Sequence, residues 1–190
     1  MILLFFALMG ILIAALLNFF HGRKNRYQNL AEIRGLWLPV LGLALELPFT
    51  LFPAYAAKAG SIFTIASYLC IFAFLFLNRQ KRIPVSLIGL GAFCNFFVIA
   101  CNGWRMPVSV RALSVYPDIT AEAVYAKKAN YFVALQGANF SFLSDVIYVP
   151  IPRIGGFISI GDILLGLGTA CFIVQTLADK LNNKHPESFV

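Results

Sequence analysis

The chain has 190 residues, of which 60% are hydrophobic and only 12% are charged, and its mean hydropathy is +0.81. Soluble domains carry about twice that share of charged residues, so the composition excludes a water-soluble globular fold and favours one that lipid solvates. The net charge of +7 does not indicate nucleic-acid binding, because the basic residues lie in short tracts beside apolar runs, as topology determinants do.

Five apolar runs predict an all-α membrane protein, built as a bundle of five transmembrane helices. Each run has about the 17 to 25 residues that are needed to cross the hydrocarbon core of a bilayer. We expect one domain over residues 1–179 and a polar cytoplasmic tail over 180–190. The predicted spans are residues 1–20, 36–57, 61–78, 83–101 and 157–178.

The one long polar stretch, residues 102–156, separates the fourth and fifth predicted spans and is called the 102–156 segment below. Pro117, followed by an acidic residue and Thr120, predicts the start of a helix that runs to about Asn130. We therefore expect the segment to be partly helical and to cap one end of the bundle.

Basic residues set the predicted orientation of the chain. They concentrate in the first and third connections between spans and in the tail, at Arg23, Lys24, Arg26, Arg34, Arg79, Lys81, Arg82, Lys180 and Lys184. Because cytoplasmic loops are enriched in Lys and Arg, these parts are predicted to be cytoplasmic, as is the C-terminus. The N-terminus and the 102–156 segment are then predicted to lie outside.

Glu46 lies inside the second predicted span, near the middle of the apolar run. A carboxylate in hydrocarbon is costly unless it is paired, so such a residue usually faces the interior of a bundle and marks a site. Two interpretations stay open. Glu46 is either a proton- or cation-responsive site or ligand anchor, or a neutral carboxyl bonded to neighbours such as Ser67, Tyr68 or Asn95.

Ser159 and Asp162 have the spacing of a capping box, which predicts the start of the fifth helix. The alternative is that Asp162 forms the polar floor of a pocket that opens outward, with Arg105 or Arg153 as its counter-charge.

Two asparagines mark the fourth predicted helix. Asn95 is predicted to hydrogen-bond across helices, which is the ordinary use of Asn in lipid. Asn102, which Gly103 follows, is predicted to cap the end of the helix.

Short motifs flank the 102–156 segment: N-G-x-x-M-P-V-S at 102–109, L-x-D at 143–145, P-x-P at 150–152 and S-x-G-D at 159–162. Together they resemble a family of bacterial polytopic membrane proteins that is known only as a domain of unknown function. The resemblance covers nearly the whole chain. It implies a protein of the bacterial plasma membrane and supplies no reaction, substrate or cofactor.

The sequence has no P-loop, H-E-x-x-H or G-x-S-x-G motif, so we expect no catalytic residues, no metal and no cofactor. The candidates for a ligand site or polar pocket are Glu46, Asn95, Asn102, Arg105, Asp145 and Asp162. The leading hypothesis is a docking or accessory subunit of a membrane complex, or a binder of a small or lipidic ligand at the outer face.

Two alternatives belong to other classes of protein. One is a small transporter or a proton- or cation-responsive carrier that uses Glu46. The other is an enzyme that modifies lipids of the outer leaflet with Asp145, Asp162 and Arg105.

Overall fold

A computed structural model describes residues 2–20, 33–116, 120–127, 129–151 and 156–178, and the fold is mostly helical. The predicted tail and Arg153 lie outside these residues. In chain order the elements are α1 (Ile2–Phe20), α2 (Trp37–Leu51), α3 (Pro53–Leu77), α4 (Arg82–Cys101), β1 (Met106–Val108), α5 (Arg111–Val115), α6 (Ala121–Lys127), β2 (Tyr131–Val133), a one-turn 310 helix (Ser141–Leu143), β3 (Ile147–Val149), β4 (Gly156–Ile158) and α7 (Ile160–Leu177).

Four helical stretches are long and apolar enough to cross a membrane: Ile2–Phe20, Lys58–Leu77, Arg82–Cys101 and Ile160–Leu177. Helix α2 is apolar too, but its 15 residues fall short of the about 17 that a span needs. The described chain therefore has four candidate spans and one shorter apolar helix, and the predicted count of five is not confirmed.

The boundary between α2 and α3 differs from the prediction. The apolar run over 36–57 is divided at Phe52, because Pro53 has no N–H to continue a helix and instead occupies the first turn of α3. Lys58, which was expected in a loop between two spans, lies within α3 beside a kink at Ala59.

Helix α7 lies between α1 and α4 and approaches both of them closely. A Cβ on Gly91 of α4 would lie 2.5 Å from the carbonyl O of Gly161, and a Cβ on Gly166 would overlap the ring of Phe6 in α1. Small residues at such positions allow the close backbone approach that stabilises helix pairs in lipid. Gly91, Gly161 and Gly166 thus lie at contacts between helices.

Helices α2 and α3 form an antiparallel pair beside this layer. The hydroxyl of Ser67 in α3 donates to the carbonyl O of Gly42 in α2 at 3.0 Å. Buried apolar side chains join the pair to α4 and α7, namely Leu38, Phe74, Leu75, Ile88, Ala92, Leu165 and Phe172.

Asn78 fastens one end of the molecule. It is fully buried, and its Nδ2 donates to the carbonyl O atoms of Arg34 and Phe74, both at 2.8 Å, while its Oδ1 accepts from the backbone N–H of Arg34 at 3.1 Å. This end carries Arg34, Arg79, Lys81 and Arg82. The 102–156 segment lies at the opposite end, because it follows α4 and contacts the last turn of α2.

Among the described residues, the 102–156 segment and the two residues that follow it form four short strands that the sequence does not predict. Strand β1 pairs in parallel with β2, and β3 pairs antiparallel with β4. Residues 157 and 158, which were expected in the fifth helix, belong to β4, and α7 begins after Ser159. Helix α6 occupies the middle of the helix predicted here.

Candidate functional site

Asn95, Ser159 and Asp162 form a buried polar joint between α4 and α7. The Nδ2 of Asn95 donates to Oδ1 of Asp162 at 2.8 Å, and the hydroxyl of Ser159 donates to Oδ1 of Asn95 at 2.8 Å. Asn95 is 5% exposed and Ser159 is fully buried. The prediction that Asn95 bonds across helices is therefore confirmed.

The predicted capping box is also present at the start of α7. The backbone N–H of Asp162 donates to the Oγ of Ser159 at 2.9 Å, and the backbone N–H of Ser159 donates to Oδ2 of Asp162 at 3.3 Å. The two carboxylate oxygens of Asp162 thus accept from different elements, Oδ2 from its own helix start and Oδ1 from α4. A pocket floor at Asp162 stays a prediction.

Glu46 lies in the second half of α2, where it contacts the 102–156 segment; a place near the middle of a membrane span stays a prediction. Its Oε2 accepts from the Nδ2 of Asn130 at 2.8 Å. Three residues further along α2, the carbonyl O of Phe49 accepts from the N–H of Ala129 at 3.3 Å. In a continuous helix this carbonyl would bond to residue 53, but Pro53 has no N–H to donate. The segment therefore supplies the partner that the proline removes.

Asn130 has one more hydrogen-bonding group at this position. Within the described residues, its Oδ1 is buried and accepts no hydrogen bond, and the same is true of the Oγ of Ser144. Buried polar atoms in native proteins nearly always have partners, so such atoms call for a donor from a ligand or from water. The sequence alone does not predict a role for Asn130.

Tyr131, next to Asn130, has a hydroxyl whose pKa is influenced by the charges of several candidate carboxylates. Burial raises the pKa of Tyr131 well above its usual value of 10.0, and the negative charges of Asp145 and Asp162 raise it further, as do Tyr68 and Glu46. Both burial and nearby negative charge disfavour the phenolate. Carboxylates from α2, from the 102–156 segment and from α7 therefore all act electrostatically on one hydroxyl.

The backbone fixes Asp145 in this arrangement. Asp145 is 4% exposed, and its residue bridges Val108 of β1 in the parallel sense. Its N–H donates to the carbonyl O of Pro107 and its own carbonyl accepts from the N–H of Ser109, both at 3.0 Å. Strand β1 thus has β2, with Tyr131, on one side and Asp145 on the other.

The acidic site is defined here as Glu46, Asn130, Tyr131, Asp145 and Asp162. Tyr68 of α3 is within electrostatic reach of the same three carboxylates. In the part of the chain that the structure describes, no three His, Cys, Asp or Glu side chains form a group that could hold a metal ion.

Asn102 caps α4, as predicted, and also fastens a turn of the 102–156 segment. Its Nδ2 donates to the carbonyl O of Val98 at 2.7 Å and to that of Asn139 at 2.9 Å, and its Oδ1 accepts from the N–H of Asn139 at 2.9 Å. The Nδ2 of Asn139 returns a bond to the carbonyl O of Cys101 at 2.8 Å. Asn102 thus serves the attachment of the segment to α4.

Arg105 is exposed and lies just before β1. It follows Gly103 and Trp104, which both have left-handed backbone conformations, with φ of 66° and 63°. This turn directs the chain from the end of α4 into β1. A counter-charge role for Arg105 stays a prediction.

The fold and the polar groups at one end of it define a class of protein. Four apolar helices that can each span a bilayer fit a multi-pass membrane protein. The chain belongs to DUF5317, a family of unknown function, whose profile matches residues 30–174. Searches of curated proteins and of solved structures found no match to the chain.

Proposed function

We propose that the chain is a non-enzymatic membrane protein that binds a small ligand at the outer face, in the acidic site beneath the 102–156 segment. The ligand carries a positive charge or several hydrogen-bond donors. The observation that supports this most is the electrostatic effect of three carboxylates, from α2, the 102–156 segment and α7, on the buried hydroxyl of Tyr131.

The chemistry of the site favours a ligand that donates hydrogen bonds over one that accepts them. Ionised carboxylates only accept hydrogen bonds, and the amide oxygen of Asn130 is a further buried acceptor. An ammonium group has three donors and a charge that opposes those of Glu46, Asp145 and Asp162. It is therefore the simplest chemical class that the site suits.

The proposed arrangement in the bilayer has five spans. Helix α2 is about 22 Å long at 1.5 Å per residue, and a short span is accommodated by local thinning of the bilayer. Residues 129 and 130 cover its end, so α2 need not reach the headgroups. The basic residues at the Asn78 end favour a cytoplasmic position for that end and an outer position for the acidic site.

Thermal unfolding of the purified protein in mild detergent tests the proposal, with ammonium and ethylammonium chloride as probes and sodium chloride as the reference at equal ionic strength. A ligand at 100 times its Kd stabilises a protein by about 2.7 kcal/mol. Since 1 kcal/mol raises the Tm of a chain of this length by about 2 to 4 °C, binding is expected to give a shift of several degrees. The Glu46→Gln variant is expected to lose this shift.

Glu122→Gln is the matched control, because Glu122 is an exposed carboxylate in α6 of the same segment. This substitution changes the net charge of the protein by the same amount as Glu46→Gln does. The variant is expected to keep the rise in Tm that the ammonium ions cause. If neither ammonium nor ethylammonium raises the Tm of the wild-type protein more than that of Glu46→Gln, a site for such ligands is ruled out.

A second candidate is a proton- or cation-responsive carrier that uses Glu46. The hydrogen bond from Asn130 to Glu46 favours it, because this bond joins α2 to the 102–156 segment and protonation of Glu46 would remove the charge that strengthens it. The protection of amides 129–134 against hydrogen exchange, taken relative to their intrinsic rates at each pH, is then expected to fall at low pH in the wild-type protein and to be weak at every pH in Glu46→Gln. Protection that is independent of both pH and the substitution would contradict this role.

A further inference from the structure

The turn around the 310 helix exposes large apolar side chains in a stretch without charge. Phe142 is 62% exposed, Phe140 is 46% exposed, and Leu135 of the preceding turn is 60% exposed. Residues 129–144 contain no Asp, Glu, Lys or Arg. An exposed apolar surface of this kind marks an interaction with another molecule or with a membrane.

Ring contacts connect this turn to the exposed surface of α4. Phe93 stacks on Phe97 with ring centroids 6.1 Å apart, Phe97 meets Phe140 edge-on at 4.7 Å, and Phe140 meets Phe142 at 6.5 Å. Phe93 is 56% exposed on a helix that is long and apolar enough to cross a membrane. The surface that α4 presents to lipid therefore continues without interruption onto the turn.

The contact with α4 fixes the depth of the turn. Phe97 lies five residues before the helix cap at Asn102, which is about 7 Å along the helix axis. A ring that packs on Phe97 thus lies at the level of the last turn of the span. The reciprocal bonds of Asn102 and Asn139 hold the turn there.

The backbone of Phe140 supports the same placement. Its φ of 54° is in the left-handed region, which an aromatic residue rarely adopts. A strained conformation persists only where the surroundings hold it, and here the ring of Phe97 and the neighbouring bonds of Asn139 do so.

We propose that the turn over residues 140–143 inserts into the interfacial layer of the bilayer, in the leaflet where α4 ends. The occupant of the exposed surface of Phe140 and Phe142 is lipid, at the boundary between headgroups and acyl chains. Aromatic and other apolar side chains are stabilised at this depth, and the absence of charge removes the penalty for entering it. The turn thus anchors the 102–156 segment to the membrane independently of any ligand in the acidic site.

Tryptophan quenching in lipid nanodiscs of phosphatidylcholine and phosphatidylglycerol tests the proposal. The protein has two tryptophans, Trp37 and Trp104, which are replaced by Phe so that the Phe142→Trp substitution supplies the only signal. Brominated phosphatidylcholine is expected to quench the fluorescence of this tryptophan strongly. Iodide in the buffer is expected to quench it much less than it quenches a water-exposed tryptophan. Ser141→Trp, at the exposed neighbouring position, repeats the measurement should Phe142→Trp unfold.

Glu122→Trp in the same background is the control for a water-exposed position of the segment. Iodide is expected to quench this tryptophan strongly, and brominated phosphatidylcholine is expected to quench it weakly. Iodide quenching at position 142 equal to that at 122 would overturn the proposal. Protection from both quenchers would overturn it too, because it would mean that a second copy or another subunit covers the turn.

Discussion

At the scale of single residues, Tyr131 combines burial with the charges of three carboxylates, and this has a consequence for pH dependence. Its pKa is raised well above the value of 10.0 that the unfolded chain has. Below pH 10 the hydroxyl is protonated in both states and stability does not change through this group. Above pH 10 the unfolded state loses the proton first, so the free energy of unfolding falls as pH rises.

The expected fall is about 1.4 kcal/mol for each pH unit between 10 and the raised pKa. The measurement is denaturant unfolding in detergent from pH 9 to about 11, with tyrosinate absorbance recorded in parallel. Tyr131→Phe is expected to remove this part of the alkaline loss. Tyr148→Phe, which removes an exposed hydroxyl in β3, is the control and is expected to retain it; equal curves for the two variants would show that Tyr131 is not the responsible group.

Residues whose roles depend on near neighbours in sequence were predictable. Ser159 and Asp162 are three apart and form the expected capping box, and Asn102 caps α4. The partner of Glu46 was not predictable, because Asn130 is 84 residues away and nothing in either local pattern specifies the other. The same separation in sequence explains why the sequence does not predict the effect of these carboxylates on Tyr131.

At the scale of helices and strands, the pairing of α4 with α7 depends on glycine. A Cβ on Gly91 would lie 2.5 Å from the carbonyl O of Gly161 and 2.7 Å from the backbone N of Leu165, and backbone atoms cannot turn aside as a side chain can. Overpacking of this kind typically costs about 1 to 3 kcal/mol. Gly91→Ala is therefore expected to lower the Tm and to loosen the polar joint of Asn95, Ser159 and Asp162.

Gly89→Ala is the matched control on the same helix. Its Cβ would meet only the Cδ1 of Leu75, at 3.5 Å, which is an ordinary contact. Since Ala exceeds Gly in helix propensity by about 1 kcal/mol, this variant is expected to be as stable as the wild-type protein or more so. The measurement is thermal unfolding of both variants in the same detergent. An equal fall in Tm for the two variants would contradict the close crossing of helices at Gly91.

The lengths of elements were predicted well where a long apolar run ends at a helix stop, as at Cys101 and Asn102. Prediction failed where pairing between distant segments decides the structure. Strands β1 to β4 have three residues each, too few for an alternating pattern to show, and β1 joins β2 across more than twenty residues. Hydropathy predicts one span over 36–57, because it does not show that Pro53 starts a new helix.

At the scale of the whole molecule, the two ends differ in charge and structure, and this makes the orientation testable. Arg79 is at the basic end beside Asn78, and Glu122 is in α6 of the 102–156 segment. We expect a membrane-impermeant thiol reagent to label Glu122→Cys in intact cells and to label Arg79→Cys only after permeabilisation. Both variants carry Ala at the four native cysteines. Labelling in the reverse order would invert the proposed topology and place the acidic site in the cytoplasm.

The packing of α1 has a consequence for biosynthesis. Helix α1 packs mainly against α7, in parallel, with Gly10 beside Ala170 and the Nδ2 of Asn18 donating to the carbonyl O of Leu177 at 2.9 Å. Helix α1 thus waits for α7, its main partner, which is synthesised 159 residues later. At about 5 to 20 residues per second this interval is on the order of ten seconds, during which α1 lacks the helix that it packs against most.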